Sequence, residues 1–408
     1  MRASTASTRF DAIIAGGGPA GSTAAILLAQ AGWSVALIEK QTFPRRKVCG
    51  ECIAATNLPL LHKLGIGNAF DAIAGPELRN VALYVGDSTL QAPLPAFDES
   101  HPWGRALGRE HLDSLLLARA GEVGATVLQP CTVKRIARDD GMHVCHTVDA
   151  DNHAQALSTP VLIAAYGSWE PDPSLESKRR AQRKSDLFAF KANYRDARLA
   201  PGLLPVLAFP GGYGGIVLGD HGRTTLAFCI RRDVLRRIRE RHPSRKAALA
   251  ALAHVEAHCT GVRDVLAGAE LEAPWLSVGP IQPGIRTPSH GDGCFAIGNV
   301  AGEAHPILGE GMSMAIQSAW MLCEQLIARG DELRGENLST GAIAETGRDY
   351  SEDWKRAFAP RIRLAAVFAH LAMRPGMSRP LLPLLQRWPG LLTTGARLGS
   401  KVRQVVEA

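Results

Sequence analysis

The sequence predicts an α/β fold in which a parallel-sheet domain is interleaved with an antiparallel-sheet domain and followed by a helical C-terminal segment. Three observations carry that expectation. Asp11–Glu39 reads strand, glycine turn, helix, strand, acid. Residues 187–230 hold β-rich runs separated by glycine turns. Beyond residue 349 the chain is rich in leucine and arginine and is punctuated by Pro375, Pro380, Pro383 and Pro389.

The first observation is the most specific. The apolar run Ala12–Ala15 leads into Gly16, Gly18 and Gly21, spaced as G-x-G-x-x-G. Gly16 permits a tight turn, Gly18 lets the backbone approach a pyrophosphate, and Gly21 lets a helix over Ser22–Ala31 pack closely on the sheet. A second apolar run, Ser34–Ile38, ends at Glu39, roughly 20 residues past the glycines, where an acid accepts hydrogen bonds from ribose hydroxyls. Pro19 and Ala20 within the turn and Lys40 beside the acid complete the expected binding set. The free N–H groups and positive end of the helix then face the phosphates. This Rossmann-like unit is expected to bind an adenine dinucleotide.

Composition bounds the rest. At 408 residues, 46% hydrophobic and 21% charged, the chain suits a soluble globular enzyme of two or more domains. No uninterrupted apolar run reaches the roughly 18 residues of a membrane span. The N-terminal MRASTASTRF has no apolar signal region. With eight scattered cysteines, this predicts reduced thiols in a cytoplasmic protein. Cys49 and Cys52 form a CxxC, but no second pair follows at ligand spacing, so no metal site is expected. The net charge of +7 gathers in Lys178–Lys184 and Arg231–Lys246. Such runs are ordinarily solvated helix faces; the functional alternative is attraction of an anionic partner, whether NADPH phosphates, a thioester carrier or a membrane surface. Nothing resembles a nucleic-acid module.

Along the chain, the spacing predicts a helix over Ile53–Leu64, a strand over Val81–Val85, an irregular Leu90–Trp103 and a helix over Leu107–Ala120. Three strands follow, in residues 124–140, 141–150 and 161–167. Leu187–Ala192, Val206–Phe209, Gly215–Leu218 and Thr224–Ile230 read as antiparallel strands, and Val234–Cys259 as a basic helical region. Gly293–Gly298 reads as a strand, Ala301–Glu310 as a loop and Gly311–Ala328 as a helix. Residues 1–80, 104–175 and 283–345 are assigned to the nucleotide domain, 81–103 and 176–282 to a substrate domain, and 346–408 to the C-terminal segment.

These features together resemble the FAD-dependent aromatic-hydroxylase superfamily, which includes flavin halogenases and geranylgeranyl reductases. The resemblance rests on GGGPAG with Glu39, on Arg109-Glu-His-Leu-Asp113, similar to an R-x-x-L-D block whose arginine contacts FAD, and on GCFAIGNVAGEAHPILGEGMSMAIQSA at 293–319. It implies an FAD cofactor. Gly309, Gly311 and Met312 would present backbone N–H groups to the flavin pyrimidine edge, with Pro306 against the ring. RRKVCGECI is similar to the P-R-x-K-x-C-G-E block of the reductase and halogenase branches, which places Arg46, Lys47, Cys49 and Glu51 near the flavin. Two departures stand out. Asn299 replaces the usual aspartate of a Gly-Asp pair, keeping a hydrogen bond to ribose without the charge. Tyr166-Gly167 replaces an Asp-Gly pair, and no second G-x-G-x-x-G exists, so NAD(P)H is expected as a transient reductant without its own domain.

The resemblance implies an FAD-dependent oxidoreductase, first an NAD(P)H-dependent monooxygenase. Molecular oxygen would form a flavin C4a-hydroperoxide that hydroxylates a small hydrophobic aromatic or polyketide-like substrate, free or carried as a thioester. The alternative is a reductase or dehydrogenase acting on C–C bonds of a prenyl or polyketide chain, favoured by the Cys-Gly-Glu block. Halogenation is disfavoured, because the W-x-W-x-I-P signature falls on Gly212–Val217, where both tryptophans and the proline are missing. A non-catalytic flavin-binding protein is a further reading. His305, Pro306 and Glu310 form the candidate catalytic set, with Glu303 and Glu51 as further acid–base candidates and Tyr213 and His221 as candidates to face the substrate. The second domain is expected to cover the flavin and enclose an apolar pocket. The C-terminal tail is expected to pack over that pocket rather than lie on a membrane, since its prolines break any long amphipathic face.

Overall fold

The tetrapeptides AIIA and VALI are buried along their whole length, as strands covered on both faces require. In the computed structural model, which describes residues 7–168, 183–335 and 338–398, they form the centre of a five-stranded parallel sheet. Its order is Cys294–Ala296, Val161–Ala164, Ala12–Ala15, Val35–Ile38, Thr126–Leu128. The chain moves outward from Ala12–Ala15 in one direction, then returns on its other side at Val161–Ala164. That reversal creates a crevice at the C-terminal ends of the two central strands.

Helices Pro19–Gln30, Arg109–Glu122 and Gly311–Ala328 share one hydrophobic core with this sheet. The first begins at Pro19, three residues before the expected Ser22, because proline at the first helical position loses only an orphan N–H. A smaller sheet of Cys131–Asp139, Met142–Asp149, Ala154–Thr159 and the short N-terminal strand Thr8–Arg9 carries the crossover back to Val161. Five strands therefore stand where three were expected.

The second sheet runs Glu270–Leu271, Leu187–Arg195, Thr224–Arg231, Gly212–Leu218, Leu203–Phe209, Asn80–Val85, Ser88–Pro93, with Leu276–Ile281 also pairing with Leu187–Arg195. All pairings are antiparallel except Leu203–Phe209 with Asn80–Val85. Ser88–Pro93 overturns the expected irregularity from Leu90, since its one proline, Pro93, ends an edge strand where a missing N–H costs no ladder bond. The glycines expected to turn the chain between Val206–Phe209 and Gly215–Leu218 lie mostly within a strand, which already begins at Gly212. One sheet face carries Leu226, Phe228 and Ile230 under helices Arg232–Arg241, Ala247–His258 and Thr260–Leu266, three elements where one helical region was expected. Arg236, Arg237, Arg239 and Arg241 lie in solvent on the first of these. The opposite face carries Ala189, Ala208, Tyr213 and Cys229 and packs with Ala369, Ala372 and Met373.

Ile53–Leu64 is not one amphipathic helix. Cys52–Ile53 pairs with Arg105–Ala106, and a short helix with Leu58, Leu60 and Leu61 buried and His62 and Lys63 exposed spans only Leu58–Lys63 after a 3-10 turn. The tail contains a 33-residue helix, Thr340–Ala372, capped by Ser339 and passing through Pro360, followed by short helices that end at Leu398. The expected domain boundary between residues 175 and 176 and residues 178–180 of the first basic run lie outside the described residues.

Candidate functional site

The glycine turn follows from close backbone approaches. Gly16 has φ +112°, and a Cβ on it would lie 2.6 Å from the carbonyl of Ala165, the residue leaving the adjacent strand. A Cβ on Gly21 would lie 1.8 Å from the Gly16 carbonyl oxygen. Gly18 has open space ahead of it, and Arg109 Nη2 is 3.8 Å from where its Cβ would be. Neither the helix starting at Pro19 nor the one starting at Gly311 has a side-chain cap, and neither has an acid in its first turn. Both open their unsatisfied N–H groups on one cavity.

That cavity has a volume of about 530 Å³ and lies at the strand-order crevice, between the two large sheets. Gly18, Pro19, Ala20, Cys49, Arg109 and Asn299 line one end, together with Pro306, Gly309, Gly311 and Met312. Glu39 braces the glycine turn: its carboxylate accepts from Gly17 N at 2.9 Å and Gln41 N at 2.8 Å, with Arg45 3.5 Å away. Lys40 is exposed just beyond it. Asn299 donates to Ser168 Oγ at 2.8 Å. Arg109 is held by a bidentate pair with Asp113, both contacts 2.7 Å, and by Cys49.

The RRKVCGECI segment divides its residues between two tasks. Lys47 lines the cavity and has no hydrogen-bond or ion-pair partner among the described residues. Burial, then the neighbouring Arg109 and Arg45, lower its ammonium to about 8. Glu51 sits at φ +60° and ties the segment to the second sheet: Lys191 Nζ and Thr225 Oγ1 both donate to it, the latter at 2.6 Å, and Arg109 N at 3.1 Å. Lys191 is fully buried and was not foreseen; only its place in the otherwise apolar run Leu187–Ala192 could have marked it. Arg46 is not brought to the cavity. It donates to Asn193 Oδ1 at 2.8 Å and Pro274 O at 3.1 Å.

The remaining candidates separate likewise. His305 Nδ1 lies 3.0 Å from Tyr213 Oη. Burial and His370 push this imidazole down to about 4, and burial raises the Tyr213 phenol well above its ordinary value. Neutral His305 and protonated Tyr213 thus form a buried pair, with Tyr213 on the cavity wall. Glu303 also lines the cavity; burial raises its carboxyl, against Arg286 at 3.6 Å. Glu310 turns instead to Arg361, 3.6 Å away in the long C-terminal helix. His221 is exposed near His111 and Asp220, outside the cavity. That trio lies close enough for a cation, but Asp220 already pairs with Arg223 at 2.9 Å and accepts from Gly108 N.

The far end of the cavity is apolar. Val206, Ile281 and Ala208 come from the second sheet, Phe368 and Leu371 from the long helix, and Leu382, Leu385 and Leu392 from the segments after it.

A crevice-end phosphate cradle, two uncapped helix starts and an unpartnered cation suit a dinucleotide cofactor carrying a flavin. The fold and site are those of an FAD-dependent oxidoreductase. Residues 9–340 match the FAD binding domain family, and the chain belongs to it. Among curated relatives, menaquinone reductase of Mycobacterium tuberculosis is 32% identical over 162 residues, which cover 40% of this chain and only 38% of that protein. Digeranylgeranylglycerophospholipid reductase 2 of Methanopyrus kandleri is 23% identical over 401 residues, 89% of this chain and 87% of that one. Solved structures share the fold. A flavin-dependent brominase superposes with TM-score 0.74 at 20% identity, covering 97% of this chain and 94% of its own. A geranylgeranyl bacteriochlorophyll reductase-like protein of Thermoplasma acidophilum gives 0.70 at 16%, covering 96% and 100%.

Proposed function

We propose that the protein reduces a carbon–carbon double bond in a long hydrophobic substrate of isoprenoid or polyketide type. The observation that carries this reading is the cavity's leucine-lined far end, which suits a chain rather than a small phenol. Two relatives point the same way, because the curated proteins reported above are reductases of a menaquinone and of a geranylgeranyl lipid.

Bound FAD supplies two-electron hydride chemistry, with NAD(P)H as its proposed reductant. Gly18 and the N–H groups after it would hold the pyrophosphate, Asn299 would meet the ribose, and the helix start at Gly311 would face the flavin. The second sheet excludes water. A proton must also reach the carbon next to the one that accepts hydride. Tyr213 is the proposed donor: its phenol stays protonated at neutral pH, and His305 behind it can return a proton through Nδ1. A hydroxylase would instead need a base for its phenol, and His305 Nδ1 is occupied by Tyr213.

Halogenation has less support. The signature tryptophan positions are Gly212 and Gly214, where a Cβ would lie 2.1 Å from the Phe209 ring and 2.5 Å from Phe228 Cβ. The test is an anaerobic incubation of the dithionite-reduced flavoprotein with a geranylgeranyl lipid, followed by mass spectrometry. Gain of two hydrogens without oxygen, slowed in Y213F, supports reduction. Products that form only with oxygen and gain one oxygen atom would return the assignment to a monooxygenase.

A further inference from the structure

The apolar end of the cavity reaches the surface. Ten large hydrophobic side chains are exposed among the described residues, and six of them fall between residues 367 and 391: Val367, Met377, Leu381, Leu384, Trp388 and Leu391. Leu381, Leu384 and Leu391 are at once exposed and cavity-lining, so a single layer of leucine side chains separates the cavity from solvent there. A dense exposed patch of this kind needs a partner that singly scattered surface leucines do not.

Charge says which partner. Between Asp353 and Glu407 the sequence contains no acidic residue, while Arg374, Arg387 and Arg397 are exposed on this segment. Trp388, 57% exposed, is the most exposed large hydrophobic of the ten. Leucine, tryptophan and arginine together, on helices of four to nine residues, match what lies in a headgroup layer: apolar groups in the acyl boundary, an aromatic at the interface and guanidinium groups at anionic phosphates. No helix among the described residues is long and apolar enough to cross a membrane.

We propose that this C-terminal face docks on an anionic lipid bilayer and that the leucine layer is the portal through which a membrane-resident substrate enters the cavity. The portal rests on the reductase reading above; the docking does not, since it needs only the surface. It also revises the expectation that the prolines argue against membrane contact, because several short helices can lie in an interface where one long helix is not required.

The test is cosedimentation of the FAD-loaded protein with phosphatidylcholine vesicles, with and without one quarter phosphatidylglycerol. Met377 and Trp388 do not line the cavity, and neither do Arg387 and Arg397. Wild type is expected to bind the anionic vesicles, and both M377S/W388S and R387Q/R397Q to bind about tenfold less. Each variant should keep its full FAD content, which checks folding. Equal binding of wild type to both vesicle types, no binding at all, or undiminished binding by both variants would overturn the proposal. A dimer in light scattering that M377S/W388S converts to monomer would give the face to a second copy, and binding of an acidic carrier protein without vesicle binding would give it to a protein. If vesicles bind but no double bond is reduced, the reductase reading alone fails.

Discussion

The two ends of the cavity are built on opposite principles. At the glycine end the structure relies on backbone and fixed pairs: Gly16 and Gly21 allow contacts a side chain would forbid, Glu39 braces the turn, and Asp113 fixes Arg109. At the leucine end the wall itself is apolar, with Leu382, Leu385 and Leu392 lining it beside Val206 and Ile281, and only single hydrogen bonds such as Thr393 Oγ1 to Pro93 O at 2.7 Å tether it among the described residues. The first arrangement recognises one rigid ligand by shape and dipoles. The second tolerates many chains of similar width. Substitutions should therefore act sharply at one end and gradually at the other.

The largest effect is expected at Gly21. In G21V the new Cβ would meet the Gly16 carbonyl oxygen 1.8 Å away, which neither backbone can relieve without opening the helix–sheet contact. The protein should lose its flavin absorbance and at least ~3 kcal/mol of stability. By contrast L385A, at the apolar end, should retain FAD. A G21V protein that purifies yellow would break the comparison.

Next comes the tie between the ends. Lys191 and Glu51 form an ion pair buried on both sides, and Glu51 also anchors Arg109 N. Removing one partner leaves an uncompensated buried charge, so K191M should cost about 3–5 kcal/mol in urea unfolding. The double variant K191M/E51Q should recover more than half of that loss. If the double variant is no better than the single one, the charge of the pair is not what joins the sheets.

The same division explains what the sequence disclosed. Gly16, Gly18, Gly21 and Glu39 were legible because one βαβ unit places all of them within 30 residues, and their spacing is the geometry. Arg109 and the 293–319 block were legible through resemblance. Lys191 was not, because its partner Glu51 lies 140 positions away and only tertiary packing joins them. Glu310 and Arg46 carried plausible chemistry at plausible positions, yet Arg361 and Asn193, from distant elements, claim them. The portal leucines repeat no motif. Their meaning comes from which side of each short helix the fold leaves exposed.

The smallest predicted effect is the most diagnostic of the glycine end, because it should move stability and binding in opposite directions. Lys47 waits on the cavity wall with its ammonium lowered to about 8 by burial and by Arg109 and Arg45. Its ordinary value of 10.5 holds in the unfolded chain. Between those values the unfolded state binds more protons, so the cofactor-free protein gains stability as pH rises from 8 and carries the full cost of the charge below it. K47M should therefore raise the melting temperature of the FAD-free protein at pH 7, by about 1 kcal/mol in stability. An anionic cofactor beside Lys47 reverses the balance by favouring the charged form. FAD should then bind K47M about tenfold more weakly than wild type at pH 7, measured by quenching of flavin fluorescence. Wild-type affinity should fall as pH rises through 8, where the ligand must bring a proton back, while K47M should show no such step. A variant that loses stability and affinity together would make Lys47 a packing residue and leave the glycine end without its waiting charge.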